Sequence, residues 1–309
     1  MLRLNPKAPL TAVNRPQQVF VDSRVYNVIN VRDGGMGRVW ILAQAFNEPF
    51  DPIYRRRLAV KTFDFMADER AVEEELNIWI SLDHPAILPL KKIGRLNYRI
   101  AAIMSLQEGS LDDMLEAQGS LSEQDVFKIV REIVGGLEYA WSQFRIVHLD
   151  LKPSNVLFED RSVMKTRIAD WGVSRLATEK RNSSKFRYGS VHNNFVDQKT
   201  AYAAGTPLYM SPERFSGNWS LSPTADVYSL GLMALQMRTG ILPFRFGEVD
   251  PLAEIATGEF FENARQMLAE HHEFFRQFCL RCIALNPADR FQSYPDLIRY
   301  VNSVTPAGS

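Results

Sequence analysis

Cysteine is scarce: two in 309 residues cannot build a disulfide framework, so a reducing compartment, the cytoplasm, is the simplest expectation. A charge surplus is missing as well. Lys plus Arg total 36 and Asp plus Glu total 36, without the basic excess of a dedicated nucleic-acid binder. Long hydrophobic runs are also lacking. No apolar stretch, glycine included, exceeds the six residues Leu230–Leu235, against about 20 for a membrane helix. Pro6 and Pro9 break the region where a signal-peptide core would lie. No internal repeat stands out, and residues 177–203 are the one markedly polar stretch. What remains is ordinary globular material, 46% hydrophobic and 23% charged, enough for one large domain or two lobes.

The first half reads as strands around one helix. Val25–Asn30 and Arg38–Ala43 are β-prone runs flanking the turn Asp33-Gly34-Gly35-Met36-Gly37, and Arg57–Phe63 and Tyr98–Met104 supply further strands. Between them Ala67–Leu82 has helical spacing, with Val72, Leu76, Trp79 and Ile80 on one face. After Gly109 the pattern turns helical. Ser122 is placed as an N-cap with Asp125 at the capping-box position, and Leu121 and Val126 form a hydrophobic staple. Val126, Ile129, Val130, Ile133, Val134, Leu137 and Trp141 mark a buried face. Further helices are expected over Asp226–Thr239, stopped by Gly240, and Phe274–Leu285. A strand-rich lobe followed by a helical one puts an active site in the cleft between them.

Several residues point to chemistry. Glycines at 34, 35 and 37 would let backbone amides approach a phosphate with no Cβ in the way, although hairpin turns use the same residues. Lys61 ends the apolar strand Leu58-Ala59-Val60-Lys61, and a buried lysine is costly unless paired. Glu75, fourteen residues on, lies beside the apolar helix face and could hold it; alternatively both are surface residues that never meet.

With His148-Leu149-Asp150-Leu151-Lys152-Pro153-Ser154-Asn155 and Ala169-Asp170-Trp171-Gly172, the chain resembles eukaryotic-type (Hanks-type) serine/threonine protein kinases. The resemblance runs from about Tyr26 to Val301 and takes in Ser211-Pro212-Glu213, Asp226-Val227-Tyr228-Ser229-Leu230-Gly231 and Asn286-Pro287-Ala288-Asp289-Arg290. It implies an α+β, bilobal protein kinase fold: an antiparallel-sheet N-lobe with one key helix, and a larger, mostly helical C-lobe. The corresponding divisions are 1–19 as an extension, 20–104 as N-lobe, 105–108 as hinge, 109–303 as C-lobe and 304–309 as tail.

It also implies roles. Asp150 looks like the catalytic base, Lys152 would stabilise the transferred phosphoryl group, and Thr206 of Gly205-Thr206-Pro207 would contact both. Asn155 and Asp170 look like ligands of magnesium, or of manganese in its place. Lys61, held by Glu75, would orient the ATP phosphates under Gly34, Gly35 and Gly37, with Val39, Ala59 and Leu157 around the adenine. Met104-Ser105-Leu106-Gln107 resembles the hinge, with Met104 as gatekeeper and Ser105 and Gln107 meeting the adenine edge; a register one earlier, with Ile103 as gatekeeper, stays open. Trp79, His148 and Trp171 match a packed column. Glu213, Arg290 and Asp226 match structural anchors of the helical lobe. Partners implied are protein substrates with Ser or Thr acceptors and, for autophosphorylation, a second copy, with no nucleic acid and no membrane span. The Gly-Gly-Met-Gly loop and the compact hinge resemble bacterial members.

Departures are specific. Arg32 stands for the loop's first glycine, Leu149 for the arginine usual before the base, and Trp171 for phenylalanine. Asn47–Arg57 reads as an extended hairpin loop, and Val173–Met210 as a long activation segment whose basic residues form a solvated face. Without an arginine at 149, phosphates at Thr178, Ser183, Ser184, Tyr188, Ser190 or Thr200 are not expected to be needed for catalysis. His271-His272 with Cys279 and Cys282 invites a zinc site, but helical spacing favours small core cysteines. Two rivals are a pseudokinase scaffold, opposed by the retained Lys61, Glu75, Asp150, Lys152, Asn155 and Asp170, and a small-molecule kinase, opposed by Gly-Thr-Pro and Ser-Pro-Glu.

Overall fold

The computed structural model describes residues 17–34, 37–45, 57–63, 69–171, 175–176, 208–215, 222–245 and 251–303. They fall into two compact units. The first combines the described residues up to Phe63 with Lys91–Leu106, and the second takes in Glu69–Leu90 and those from Gln107 onward.

The first unit is a closed six-stranded barrel of β1 (Gln18–Val21), β2 (Arg24–Gly34), β3 (Gly37–Gln44), β4 (Arg57–Phe63), β5 (Leu90–Leu96) and β6 (Arg99–Ser105), in the order 1-2-3-4-6-5. Alternation along each strand sends one set of side chains inward. Val19, Val21, Tyr26, Leu42, Leu58, Val60, Leu96, Ala101 and Ile103 form that core. Two hairpins, at Asp22-Ser23 and Asn97-Tyr98, turn through residues with positive φ (46° and 72°; 46° and 71°). Such paired left-handed residues match the twist of the flanking strands. Each turn holds the other's strand: Asp22 Oδ1 accepts from Arg95 N at 2.7 Å, and Asn97 Oδ1 from Phe20 N at 2.9 Å.

The second unit contains helices α1 (Glu69–Ile80), α2 (Leu111–Gln118), α3 (Glu123–Phe144), α4 (Pro212–Phe215), α5 (Pro223–Thr239), α6 (Pro251–Thr257), α7 (Glu259–Met267), α8 (Glu273–Cys282) and α9 (Tyr294–Asn302). It also holds the short pair β7 (Ile146–Val147) with β10 (Arg175–Leu176), and the hairpin of β8 (Val156–Asp160) with β9 (Lys165–Ile168). α1, between the first unit's two stretches in sequence, groups with this unit. α5 is buried almost all round, and Gly240 ends it at φ +82° with its N–H on Gln236 O. Gly231 lets α8 approach: a Cβ there would stand 2.3 Å from Cys282 Cβ.

Two local expectations need correction. Ile80 is 42% exposed, because at 3.6 residues per turn it sits about 80° round the helix from Val72, on the rim of the buried face. Ser122 caps α3 by accepting Asp125 N, but its hydroxyl also donates to Asp125 Oδ2, which replaces the reciprocal half of a capping box. The complete box is at Ser110 and Asp113, starting α2.

Candidate active site

In the first unit, register fixes which side chains share a face. Val39 lies opposite Lys61, Lys61 opposite Ala102, and Ala59 opposite both Ile41 and Met104. Directly opposed residues in a sheet point to the same side. Val39, Ala59, Lys61 and Met104 therefore occupy the face turned away from the barrel core. Ile103 is fully buried inside the barrel opposite Val60, so Met104 and not Ile103 lies beside Ala59. Gly34 and Gly37 close the β2–β3 hairpin as a pair. Gly37 needs its glycine, since at φ +139° a Cβ would fall 2.0 Å from Thr62 O. Ser105 ends β6 opposite Leu58. A cavity of about 530 Å³ opens elsewhere on this unit, among Gly37, Arg38, Trp40, Thr62, Phe63, Leu96, Asn97 and Arg99. Its lining mixes the two faces: Trp40 and Thr62 belong to the barrel-facing set and Phe63 to the set that carries Lys61, while Lys61 itself is not among the lining residues.

In the second unit the loop after β7 is built on a buried carboxylate. Asp226, in the first turn of α5, accepts His148 N at 2.8 Å, Leu149 N at 2.7 Å and the Tyr294 hydroxyl at 2.9 Å. Burial, then the neighbouring Asp226 charge, pushes the Tyr294 phenol well above its ordinary range, which keeps it a donor. Leu149 is held at φ +67°, a conformation costing a non-glycine residue about 1–2 kcal/mol. Three anchors over-determine it: its N–H on Asp226, its carbonyl accepting from Arg214 Nη1, and its side chain packed with Val147 and Ala225.

This strained turn delivers Asp150, whose side chain is 20% exposed. Lys152 Nζ lies 2.8 Å from Asp150 Oδ2, and Asn155 Nδ2 donates to Asp150 O at 2.8 Å and to Oδ2 at 3.0 Å. Both amide hydrogens of Asn155 thus face Asp150, leaving its amide oxygen as the acceptor. His148 Nδ1 accepts Asp150 N at 3.2 Å, so Nε2 is the donor to Ala169 O at 3.0 Å. Ala169 N in turn donates to Asn155 O at 2.8 Å, which ties the residue beside Asp170 to the same loop. Asp170 has φ +65°, and Trp171 is buried edge-on to His148 at 4.7 Å between ring centroids.

Asp150, Lys152, Asn155 and the backbone next to Asp170 therefore come together within one unit. Leu157 is half-buried on β8, Gln107 falls in the second unit, and Glu75 lies half-buried on α1. Gly35, Thr206 and the activation segment's acceptor residues lie outside the described residues. Glu213, half-buried, and Arg290, fully buried, form the expected pair through two contacts at 2.8 Å. Two contributors carried no motif signal: Arg214, which reaches the Leu149 carbonyl from 65 positions away, and Tyr294, which donates to Asp226, the loop's anchor, across 68 positions. Cys279 and Cys282 are buried free thiols, and among the described residues no three His, Cys, Asp or Glu side chains gather as a metal cluster.

The sequence profile of the protein kinase domain matches residues 45–299. Mitogen-activated protein kinase kinase 1 of Arabidopsis thaliana is 32% identical over 232 residues, covering 74% of this chain and 58% of that protein. Serine/threonine-protein kinase PknD of Protochlamydia amoebophila is 25% identical over 308 residues, 92% of this chain and 30% of that protein. The chain thus spans under two thirds of either relative. Among solved structures, Rad53 1-466 in complex with AMP-PNP superposes with a TM-score of 0.66 at 22% identity, covering 89% of this chain and 65% of that one. That likeness carries the fold. No helix of the described residues is long and apolar enough to cross a membrane.

Proposed function

Because the chain belongs to the protein kinase domain family, we propose that it transfers the γ-phosphoryl group of ATP to Ser or Thr hydroxyls of proteins. The observation that carries this is the arrangement around Asp150. Its Oδ2 is occupied by Lys152 and Asn155, while among the described residues Oδ1 accepts no hydrogen bond. Oδ1 is the atom to receive the proton of the attacking hydroxyl. Lys152 then stands beside both that carboxylate and the charge developing on the transferred group. Phosphoryl transfer demands chiefly positioning and charge neutralisation, and this set supplies both.

Lys61, on the sheet face shared with Val39, Ala59 and Met104, is assigned to the nucleotide phosphates, with Glu75 as its proposed holder and Gly34, Gly35 and Gly37 over them. Val39, Ala59, Leu157, Met104, Ser105 and Gln107 are assigned to the adenine. Magnesium, or manganese, would neutralise phosphate charge when bound, and the Asn155 amide oxygen and Asp170 carboxylate are the hard oxygen donors that suit it. Lys152 two residues after the base, Gly205-Thr206-Pro207 and Ser211-Pro212-Glu213 support Ser/Thr acceptors over tyrosine, with Thr206 assigned beside Asp150 and Lys152. A cytoplasmic setting, and a second copy as the substrate of autophosphorylation, belong to the same reading.

Incubating the purified chain with labelled ATP, magnesium and a generic protein substrate tests it. Label on Ser or Thr is the expected result. Nucleotide binding without transfer would replace the enzyme with a scaffold.

A further inference from the structure

Position 149 lacks a charge, yet a guanidinium reaches the same backbone from elsewhere. Arg214, on α4, donates from Nη1 to the carbonyl oxygen of Leu149. The arginine is only 5% exposed, so the bond forms away from bulk water, where a charged donor counts for more. Its platform is fixed: Arg214 N donates to Ser211 O at 3.0 Å, and the preceding residue, Glu213, is clamped by Arg290.

The Leu149 carbonyl and the Asp150 N–H belong to one planar peptide unit. A positive charge on that oxygen polarises the unit and strengthens the Asp150 N–H as a donor to His148 Nδ1. The ring passes the effect on, through Nε2, to Ala169 O beside Asp170. Arg214 thus stands at the head of a hydrogen-bonded chain touching the backbone of both carboxylates assigned to chemistry. On the amide side, Asp226 takes the His148 and Leu149 N–H groups, so the turn is held between an anion and a cation.

We propose that Arg214 is a positioning residue for Asp150, fixing the Leu149–Asp150 peptide and, through His148, the backbone beside Asp170. This deepens the kinase reading and rests on it for its kinetic arm. It also gives a physical role to an arginine outside the slot before the aspartate, where Leu149 can offer no guanidinium.

The test uses the full chain with Arg214→Met and Arg214→Lys, read by steady-state kinetics and amide hydrogen exchange. Loss of a charge-assisted hydrogen bond corresponds to at least about a tenfold effect. Arg214→Met is therefore expected to lower kcat about tenfold, leave KM for ATP within about threefold, and speed exchange over residues 146–152 by a similar factor. Exchange in α3 should stay unchanged. Arg214→Lys, a point charge without the planar fork, is expected to fall between. Unchanged exchange at 146–152, or an equal rise throughout α3, overturns the proposal. If Arg214→Met does not fold, Arg214→Lys decides alone by the same comparison of 146–152 with α3. A wild-type chain that transfers no phosphate removes the functional reading, while the exchange measurement still judges this one.

Discussion

Leu149 gives its N–H to Asp226 at 2.7 Å across 77 positions of sequence, and a motif built for chemistry is thereby held by a residue built for structure. Asp226 also serves His148 and Tyr294 from full burial. Replacing it with alanine leaves those buried donors without their acceptor, at about 1–3 kcal/mol per orphaned group. Asp226→Ala is expected to lose about 3 kcal/mol or more in urea unfolding, and Tyr294→Phe about 1 kcal/mol. Equal midpoints for wild type and Asp226→Ala would refute the anchoring role.

Removing the proposed base separates chemistry from folding. Asp150→Asn keeps the shape but cannot take a proton, so turnover should fall about 10²–10⁴-fold with the melting temperature nearly kept. Asp170→Asn weakens the carboxylate proposed as a metal ligand and should cost at least as much. Label transfer at near wild-type rate in either variant would end the kinase assignment.

Lys61 tests the other unit. It is assigned to phosphates, whereas Ala59 and Met104 on the same sheet face are assigned to the base. Lys61→Met should therefore reduce kcat by far more than it weakens nucleotide binding, measured by titration calorimetry. Parallel losses in both would move the lysine out of its proposed role.

Burial pushes the thiols of both Cys279 and Cys282 upward, so at pH 8 little thiolate exists to react. Iodoacetamide should leave both unmodified in the native protein and label both in urea, as read by mass spectrometry. Stoichiometric zinc in the purified protein would instead show that these cysteines are ligands and not core.

Legibility from sequence followed local signal. β4 runs Arg57–Phe63 as expected because its apolar core is continuous, and α3 follows the spacing of Val126 through Leu137. β1 and β5 were hidden. Gln18–Val21 is four residues long, and Leu90–Leu96 carries two lysines and a glycine, so closure of the barrel and not local preference makes them strands. Their turns, Asp22-Ser23 and Asn97-Tyr98, lack the glycine that usually marks such a hairpin. At the site, motif residues were readable because their chemistry demands certain side chains at short spacing. Arg214 acts on the Leu149 carbonyl and Tyr294 on the Asp226 carboxylate, both brought near only by the fold, and no spacing in the sequence announces either contact.

The clasp between the Asp22 and Asn97 turns has a consequence for association. With Val21 opposite Leu96, each of the six strands has a neighbour on both sides. Many proteins capture partners, or aggregate, by laying a foreign strand along an open row of backbone donors and acceptors. Here the seam between β1 and β5 interrupts that row, at the pair Val21 and Leu96. A foreign strand would have to displace this pairing to take its place, whereas a partner that matches side chains could do so with the barrel intact.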